Sequence, residues 1–424
     1  MSAGRSRSEI AVVVGSFLLV IGITAVLAWR VGPAPDEEDH LTMVDHHGDH
    51  LALSPLADWE LGTERGHVYH LYSPVPYAAY APFEIANDGV GPVDRAARPD
   101  RFITRLGGLV IAAAQLAVTL LLVRRMCRRC SAIEVTAVAL AANLIPQLRY
   151  VHAYLNADGL TILAATAAFA VALRVLQRER LTLADAALVG LTLGVVAHGK
   201  FNAYVVAGVL FGVFAICAWR QRESLRHRLR LIGVVIALPT LLAGSFHLYI
   251  YNQLGNRHLI PTSDQMQLLD STFKGAIAPS RSLGATARTT ARASSRVWSG
   301  VWVRFVDAVE LEGAILVVLA GLVAVGTVGL VFAGRRVLTP AGRLVGVLAL
   351  GAGAVTWAAM AIGWSQSGRF LLPTAISALA AVVLGSAALV DRLTTAPRSV
   401  LLSASVWIVL LLGLNVWAVA GAGA

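Results

Sequence analysis

Apolar runs of roughly twenty residues recur along almost the whole of this chain, and a run of that length crosses a hydrocarbon core of roughly 30 Å as one α-helix. Lipid offers no water to exposed backbone amides, so a chain made of such runs must close its hydrogen bonds within helices. The runs fall near residues 9–29, 102–123, 131–147, 159–176, 183–197, 201–219, 230–250, 313–333, 344–363, 370–390 and 399–420. They predict an all-α integral membrane protein, a single polytopic domain over 1–424 with about eleven transmembrane helices. Composition excludes the soluble alternative, because 57% of the residues are hydrophobic and 14% are charged. The first run follows Arg5 and Arg7 as a signal peptide would. It is too long for a signal h-region and ends without a small-x-small cleavage site, so it reads as a retained helix.

A net charge of +10 would suggest a nucleic-acid partner in a soluble protein. Here the arginines cluster in short loops: Arg124–Arg129, Gln177–Leu181, Arg220–Arg230, Gly334–Arg343 and Asp391–Arg398. Basic loops stay inside, which places the N-terminus inside and the C-terminus outside, and makes membrane lipids the partner with no nucleic acid. Only Lys200 and Lys274 are lysines, while alanine, valine and arginine abound, as in a GC-rich bacterial genome. The expectation is a multi-pass protein of a bacterial plasma membrane with its active side outward. Two outer loops are long, 30–101 and 251–312. Cys217 sits in an apolar run and reads as packing. Cys127 and Cys130 lie in Arg-Arg-Met-Cys-Arg-Arg-Cys, a basic inner turn, with half of a zinc site or a redox pair as the alternatives.

Candidate chemistry gathers at the outer ends of the runs. After the first run comes Pro33-Ala-Pro-Asp36-Glu37-Glu38-Asp39-His40. On a helix starting near Asp36, the side chains of Asp36, Asp39 and His40 share a face. They could bind a divalent cation, with Asp36 and His40 as ligands, or deprotonate an incoming hydroxyl. A solvated acidic helix start is the plainer alternative. Asp45-His46-His47-Gly48-Asp49-His50 is rich in ligand types, yet Gly48 interrupts it. The tyrosines and prolines of His67–Phe83 suit an interfacial segment, or else a platform for a sugar or acceptor. In the second outer loop Arg288, Arg292 and Arg296 recur every fourth residue and form one helical stripe, which suits a phosphate or anionic headgroups. Arg369 and Asp158 stand at the outer mouths of two runs, where they either snorkel to water or belong to a site.

These segments resemble a pattern in a group of uncharacterised bacterial multi-pass proteins within the GT-C superfamily of glycosyltransferases. Pro35-Asp36-Glu37-x-x-His40 is similar to that group's Pro-Asp-Glu-x-x-His first-loop motif. Asn156-Ala157-Asp158 resembles its Asn-x-Asp, and Gly368-Arg369-Phe370-Leu-Leu-Pro373 its Gly-Arg-Tyr-x-x-Pro. The chain departs from the pattern at Ser367, inserted between Gln366 and Gly368, and at Phe370. The resemblance spans roughly residues 9–390 and implies sugar transfer from a polyprenyl-phosphate donor to a cell-envelope acceptor on the outer face. It implies Asp36 as general base or metal-organising carboxylate with Glu37 as its partner, and Arg369 on the donor phosphate, with Mg2+ or Mn2+ as the cofactor if a metal takes part. A transporter or flippase of a lipid-linked sugar is the main rival. It predicts charges near the membrane midplane, where these runs are almost uncharged. A non-catalytic envelope-assembly protein is the other rival, and it predicts that Asp36 and Arg369 are dispensable.

Overall fold

The computed structural model describes residues 7–30, 37, 40–41, 43–44, 73, 75–88, 100–221, 223–253, 294–302, 313–360, 368–394 and 398–421, and no strand occurs among them. Asp36, Asp39, Arg288, Arg292 and the Asp45–His50 cluster lie outside the described residues. The chain runs through α1 (Arg7–Arg30), two short helices α2 (Val75–Ala78) and α3 (Ala81–Asp88), α4 (Asp100–Met126), α5 (Ala132–Asn143), α6 (Pro146–Ala153) and α7 (Asp158–Leu176). It continues through α8 (Leu183–Ala197), α9 (Tyr204–Arg220), α10 (Leu225–Gln253), α11 (Gly313–Phe332), α12 (Pro340–Ala359), α13 (Leu372–Thr394) and α14 (Ser399–Gly421). Eight described helices are long and apolar enough to cross a membrane, and three shorter apolar ones, α5, α8 and α9, occupy the remaining predicted runs.

Local chemistry sets several of these boundaries. Ser131 with Glu134, and Thr182 with Asp185, form reciprocal capping boxes that start α5 and α8. Thr339 caps α12 ahead of Pro340. The two cysteines of the α4–α5 turn lie side by side, with the Cα atoms of Cys127 and Cys130 5.7 Å apart. One expected span is broken. The run 131–147 does not continue as a single helix but stops at Asn143 and restarts at Pro146. Proline disfavours a helical residue before it and lacks an N–H, so it begins a helix rather than extending one. The Leu144 carbonyl freed at the break accepts Asn415 Nδ2 from α14 at 2.8 Å. The restart carries inward what the sequence places in an outer loop, and Arg149 and His152 are fully buried.

α13 and α7 are the most enclosed long helices, whereas α1, α10 and α11 present most of their surface outward. Glycines let helices approach where no side chain would fit. A Cβ on Gly329 of α11 would collide with the Gly385 carbonyl of α13, and one on Gly326 with that of Val382. Such small-residue contacts replace the hydrophobic effect as the source of helix association in lipid. Gly329→Val should therefore lower the thermal unfolding midpoint of the detergent-purified protein, at a cost of about 1–3 kcal/mol or more. An unchanged midpoint would show that α11 and α13 do not meet there.

Candidate active site

The turn Tyr154–Asp158 between α6 and α7 organises one end of the bundle. Asn156 holds its shape from both sides of the amide. Its Nδ2 donates to the carbonyls of Val151 and Tyr154 at 2.6 and 2.9 Å, and its Oδ1 accepts the backbone amides of Asp158 and Gly159 at 2.7 and 3.1 Å. Asn156, a candidate through the Asn-x-Asp resemblance, is thus committed to holding the start of α7. Losing such a cap costs about 0.5–2 kcal/mol, and Asn156→Ala should lower the unfolding midpoint to match.

Asp158 is 2% exposed and lies between two cations. Lys200 Nζ is 3.0 Å from Oδ1, and Arg369 Nε is 3.7 Å from Oδ2. Arg369 Nη1 also donates to the Tyr154 hydroxyl at 3.0 Å. Asn202 Nδ2 donates to the Phe370 carbonyl at 3.0 Å, tying the turn Gly368–Leu371 to the turn Phe201–Ala203 and so fixing Arg369 relative to Lys200. Asp158 therefore does not snorkel to water. The Arg369 side chain keeps a quarter of its surface exposed, while that of Lys200 keeps 4%.

Glu37, from the segment after α1, docks on the same turn. Arg105 of α4 grips its carboxylate bidentately, Nε to Oε1 at 2.7 Å and Nη2 to Oε2 at 2.5 Å, and Nη1 donates to the Ala28 carbonyl at the end of α1. The Leu155 backbone amide adds a further bond to Oε1 at 3.1 Å. Both oxygens are occupied, so Glu37 anchors the loop that carries Asp36. His40 Nδ1 is 2.9 Å from the Tyr77 hydroxyl of α2, and Ser73 Oγ is 2.6 Å from His198 Nδ1. Tyr80 is fully buried near both carboxylates. Burial foremost, and then the charges of Glu37 and Asp158, hold its phenol well above the ordinary value, against an opposing effect of the Asn156 backbone amide. The first loop is further seated by Glu84 of α3, which accepts the Thr104 hydroxyl of α4.

The structure thus brings Asp158, Arg369 and Glu37 to one turn, with His40 seated on α2. Arg296 lies on the helical segment 294–302 with an exposed side chain, beside Trp298 and Trp302 of a tryptophan cluster that extends to Trp357 and Trp407. Among the described residues no three His, Cys, Asp or Glu side chains converge as metal ligands. Sequence reasoning singled out neither Lys200 nor Arg105, while Tyr77 and Tyr80 fall within the tyrosine-rich His67–Phe83 stretch it named. Lys200 carried a signal, as one of two lysines in the chain and the only one at the mouth of a run.

No protein-family model and no curated protein matches this sequence. Solved structures do. The oligosaccharyltransferase of Archaeoglobus fulgidus in its apo form aligns with a TM-score of 0.54 at 12% identity, covering 100% of this chain and 57% of that one. This chain therefore spans little more than half the length of that protein. The same enzyme, AglB, in complex with an inhibitory peptide and a dolichol-phosphate aligns at 0.52 and 12% identity, covering 100% and 56%. ArnT from Cupriavidus metallidurans aligns at 0.55 and 13% identity in its apo state, covering 97% of this chain and 76% of that one. Bound to undecaprenyl phosphate it aligns at 0.56 and 13% identity, covering 97% and 72%. The chain shares the GT-C-like helical membrane fold of these proteins.

Proposed function

We propose that this protein is a membrane glycosyltransferase that moves a sugar from a polyprenyl-phosphate donor to a cell-envelope acceptor at the outer face of a bacterial plasma membrane. The observation that carries the reading is the buried carboxylate of Asp158 set between Lys200 and Arg369 at the end of the bundle that the loop arginines assign to the outside. A lysine and an arginine gathered at one carboxylate suit the binding of a phosphate. The solved neighbours with dolichol-phosphate and undecaprenyl phosphate support the same ligand class.

The chemistry follows from charge. As the bond between the sugar C1 and the phosphate oxygen breaks, positive charge grows on the sugar and negative charge on the departing phosphate, while an acceptor oxygen bonds to C1 and gives up its proton. Fixed cations aimed at the departing oxygen lower the barrier because they are already oriented. Lys200 and Arg369 fill that role, with Asp158 holding both in place. The acceptor proton goes to a carboxylate of the first loop, assigned to Asp36, and Glu37 with Arg105 fixes where that loop stands. Phosphate affinity extends to the stripe of Arg288, Arg292 and Arg296. A divalent ion would add Lewis-acid stabilisation of the phosphate; of its sequence-expected ligands Asp36 and His40, the described one, His40, keeps its Nδ1 on Tyr77.

The test is transfer of radiolabelled sugar from polyprenyl-phosphate donors to membrane acceptors, comparing wild type with Asp36→Asn and Arg369→Ala at matched expression. Loss of transfer by roughly two to three orders of magnitude in the folded variants is the expected result. Unchanged transfer in both removes these assignments. Wild type inactive with every donor turns the reading toward a flippase or an assembly protein.

A further inference from the structure

Contacts tie the basic turns of the chain together at one end of the bundle. Gln177 Nε2 donates to the Arg125 carbonyl at 3.0 Å, and the amides of Arg128 and Thr339 donate to the Val337 and Met126 carbonyls at 2.8 Å. Arg180 pairs with Glu223 at 3.3 Å and Arg336 with Asp391 at 3.4 Å. The turn Tyr154–Asp158 lies at the opposite end of α7. Arg226 and Arg230, in the first two turns of α10, are exposed at this basic end. Among the described residues no carboxylate lies within ion-pair distance of either, and the neighbouring acid Glu223 is taken by Arg180. Cations at the start of a helix oppose its dipole, so stabilising α10 does not explain them.

Leu225, Arg226, Leu229 and Arg230 line an open groove. Residues three, four and seven apart share a helix face, so Gly233 and Ile236 continue the face of Leu229. Leu229, Ile236 and Leu241 are exposed, and a Cβ on Gly233 would meet no atom within 4 Å. Gly233 thus leaves a notch in an apolar ridge one to two turns from the two guanidiniums. Trp219 is exposed beside them, with the Arg228 guanidinium 5.7 Å from its ring centroid, and tryptophan favours the level of lipid headgroups.

We propose that Arg226 and Arg230 bind the phosphate of an anionic phospholipid whose acyl chain lies in the notch at Gly233, between Leu229 and Ile236, and runs on to Leu241. Guanidinium groups match phosphate oxygens, and the apolar ridge beside them matches the chain. A zwitterionic headgroup fits less well, because its cationic end would stand among Arg226, Arg228 and Arg230. A second copy of the chain fits less well too, because a twofold axis along the membrane normal would bring the same arginines face to face. The site stands at the far end of α7 from Asp158 and does not depend on sugar transfer.

Native mass spectrometry of the full chain in neutral detergent, titrated with dioleoyl-phosphatidylglycerol or dioleoyl-phosphatidylcholine, gives the affinity for each. Phosphatidylglycerol should bind about tenfold tighter or more, and Arg226→Gln with Arg230→Gln should weaken it about thirtyfold, as expected for two basic side chains at a headgroup. Gly233→Leu fills the notch and should weaken it at least about threefold through lost chain packing. Arg128→Gln with Arg129→Gln removes two charges from another turn of the same end and should leave affinity within about twofold of wild type. The lipid-free unfolding midpoint of the Arg226→Gln, Arg230→Gln variant should equal or exceed that of wild type. Equal losses in the two double variants would mean diffuse attraction to surface charge and overturn the site, as would equal affinity for the two lipids. Unchanged binding by Gly233→Leu would overturn the placement of the chain. A wild-type dimer that holds no lipid and that Gly233→Leu splits would give this face to a second copy and overturn the proposal.

Discussion

Arg105→Met will destabilise the protein by about 3–5 kcal/mol, the cost of leaving one member of a buried ion pair without its partner. The pair is enclosed on both sides, with the side chains of Arg105 and Glu37 5% and 2% exposed, and one guanidinium serves Glu37 and the end of α1 together. Its removal strands a carboxylate that keeps only the Leu155 amide among the bonds described above. The double variant Arg105→Met with Glu37→Gln should recover much of the loss, because a stranded charge is worse than no charge. Unfolding midpoints of the two single variants and the double in detergent give the coupling directly. Additive effects would show that Glu37 and Arg105 act independently and that the first loop is not anchored there.

Lys200→Met should give the largest loss of activity outside the first loop. Removing one preorganised donor from a developing oxyanion lowers turnover by about 10²–10³-fold. Lys200→Arg keeps the charge but not the compact ammonium geometry, and should restore only part of it. The assay is transfer at saturating donor, with binding measured in parallel. A fall in turnover with little change in donor affinity fits a cation that acts as phosphate charge grows. Loss of affinity with turnover preserved would instead make Lys200 a binding residue, and no effect on either would detach it from the chemistry.

The fold was legible because the bilayer imposes it. Each apolar run became a helix, and one departed where Pro146 broke it. What the sequence could not supply was the distant partner. Glu37 reads as half of an acidic pair until Arg105 closes on it, and nothing in the spacing of α4 marks Arg105 apart from any arginine at a helix end. Asn156 and Asp158 look equivalent in a three-residue motif, yet one amide can bridge the end of α6 and the start of α7 while a carboxylate needs cations. Arg149 and His152 escaped notice because an outer loop was expected where a buried helix stands. Asp158 and Arg369 were legible because a charge at the mouth of an apolar run is either solvated or used, and burial decides between the two.

The broad outward surface of α1 bears on how the chain is made. Synthesis runs from the N-terminus, so α1 enters the bilayer before the helices that will hold it. Its Ala28 carbonyl and the carboxylate of Glu37 wait until Arg105 emerges, 68 residues after Glu37, and Thr24 waits until Arg149 emerges, 125 residues after it. Each arginine thus emerges only after its acceptor on or near α1 has been made, so these ties between α1 and the rest of the bundle close late in synthesis.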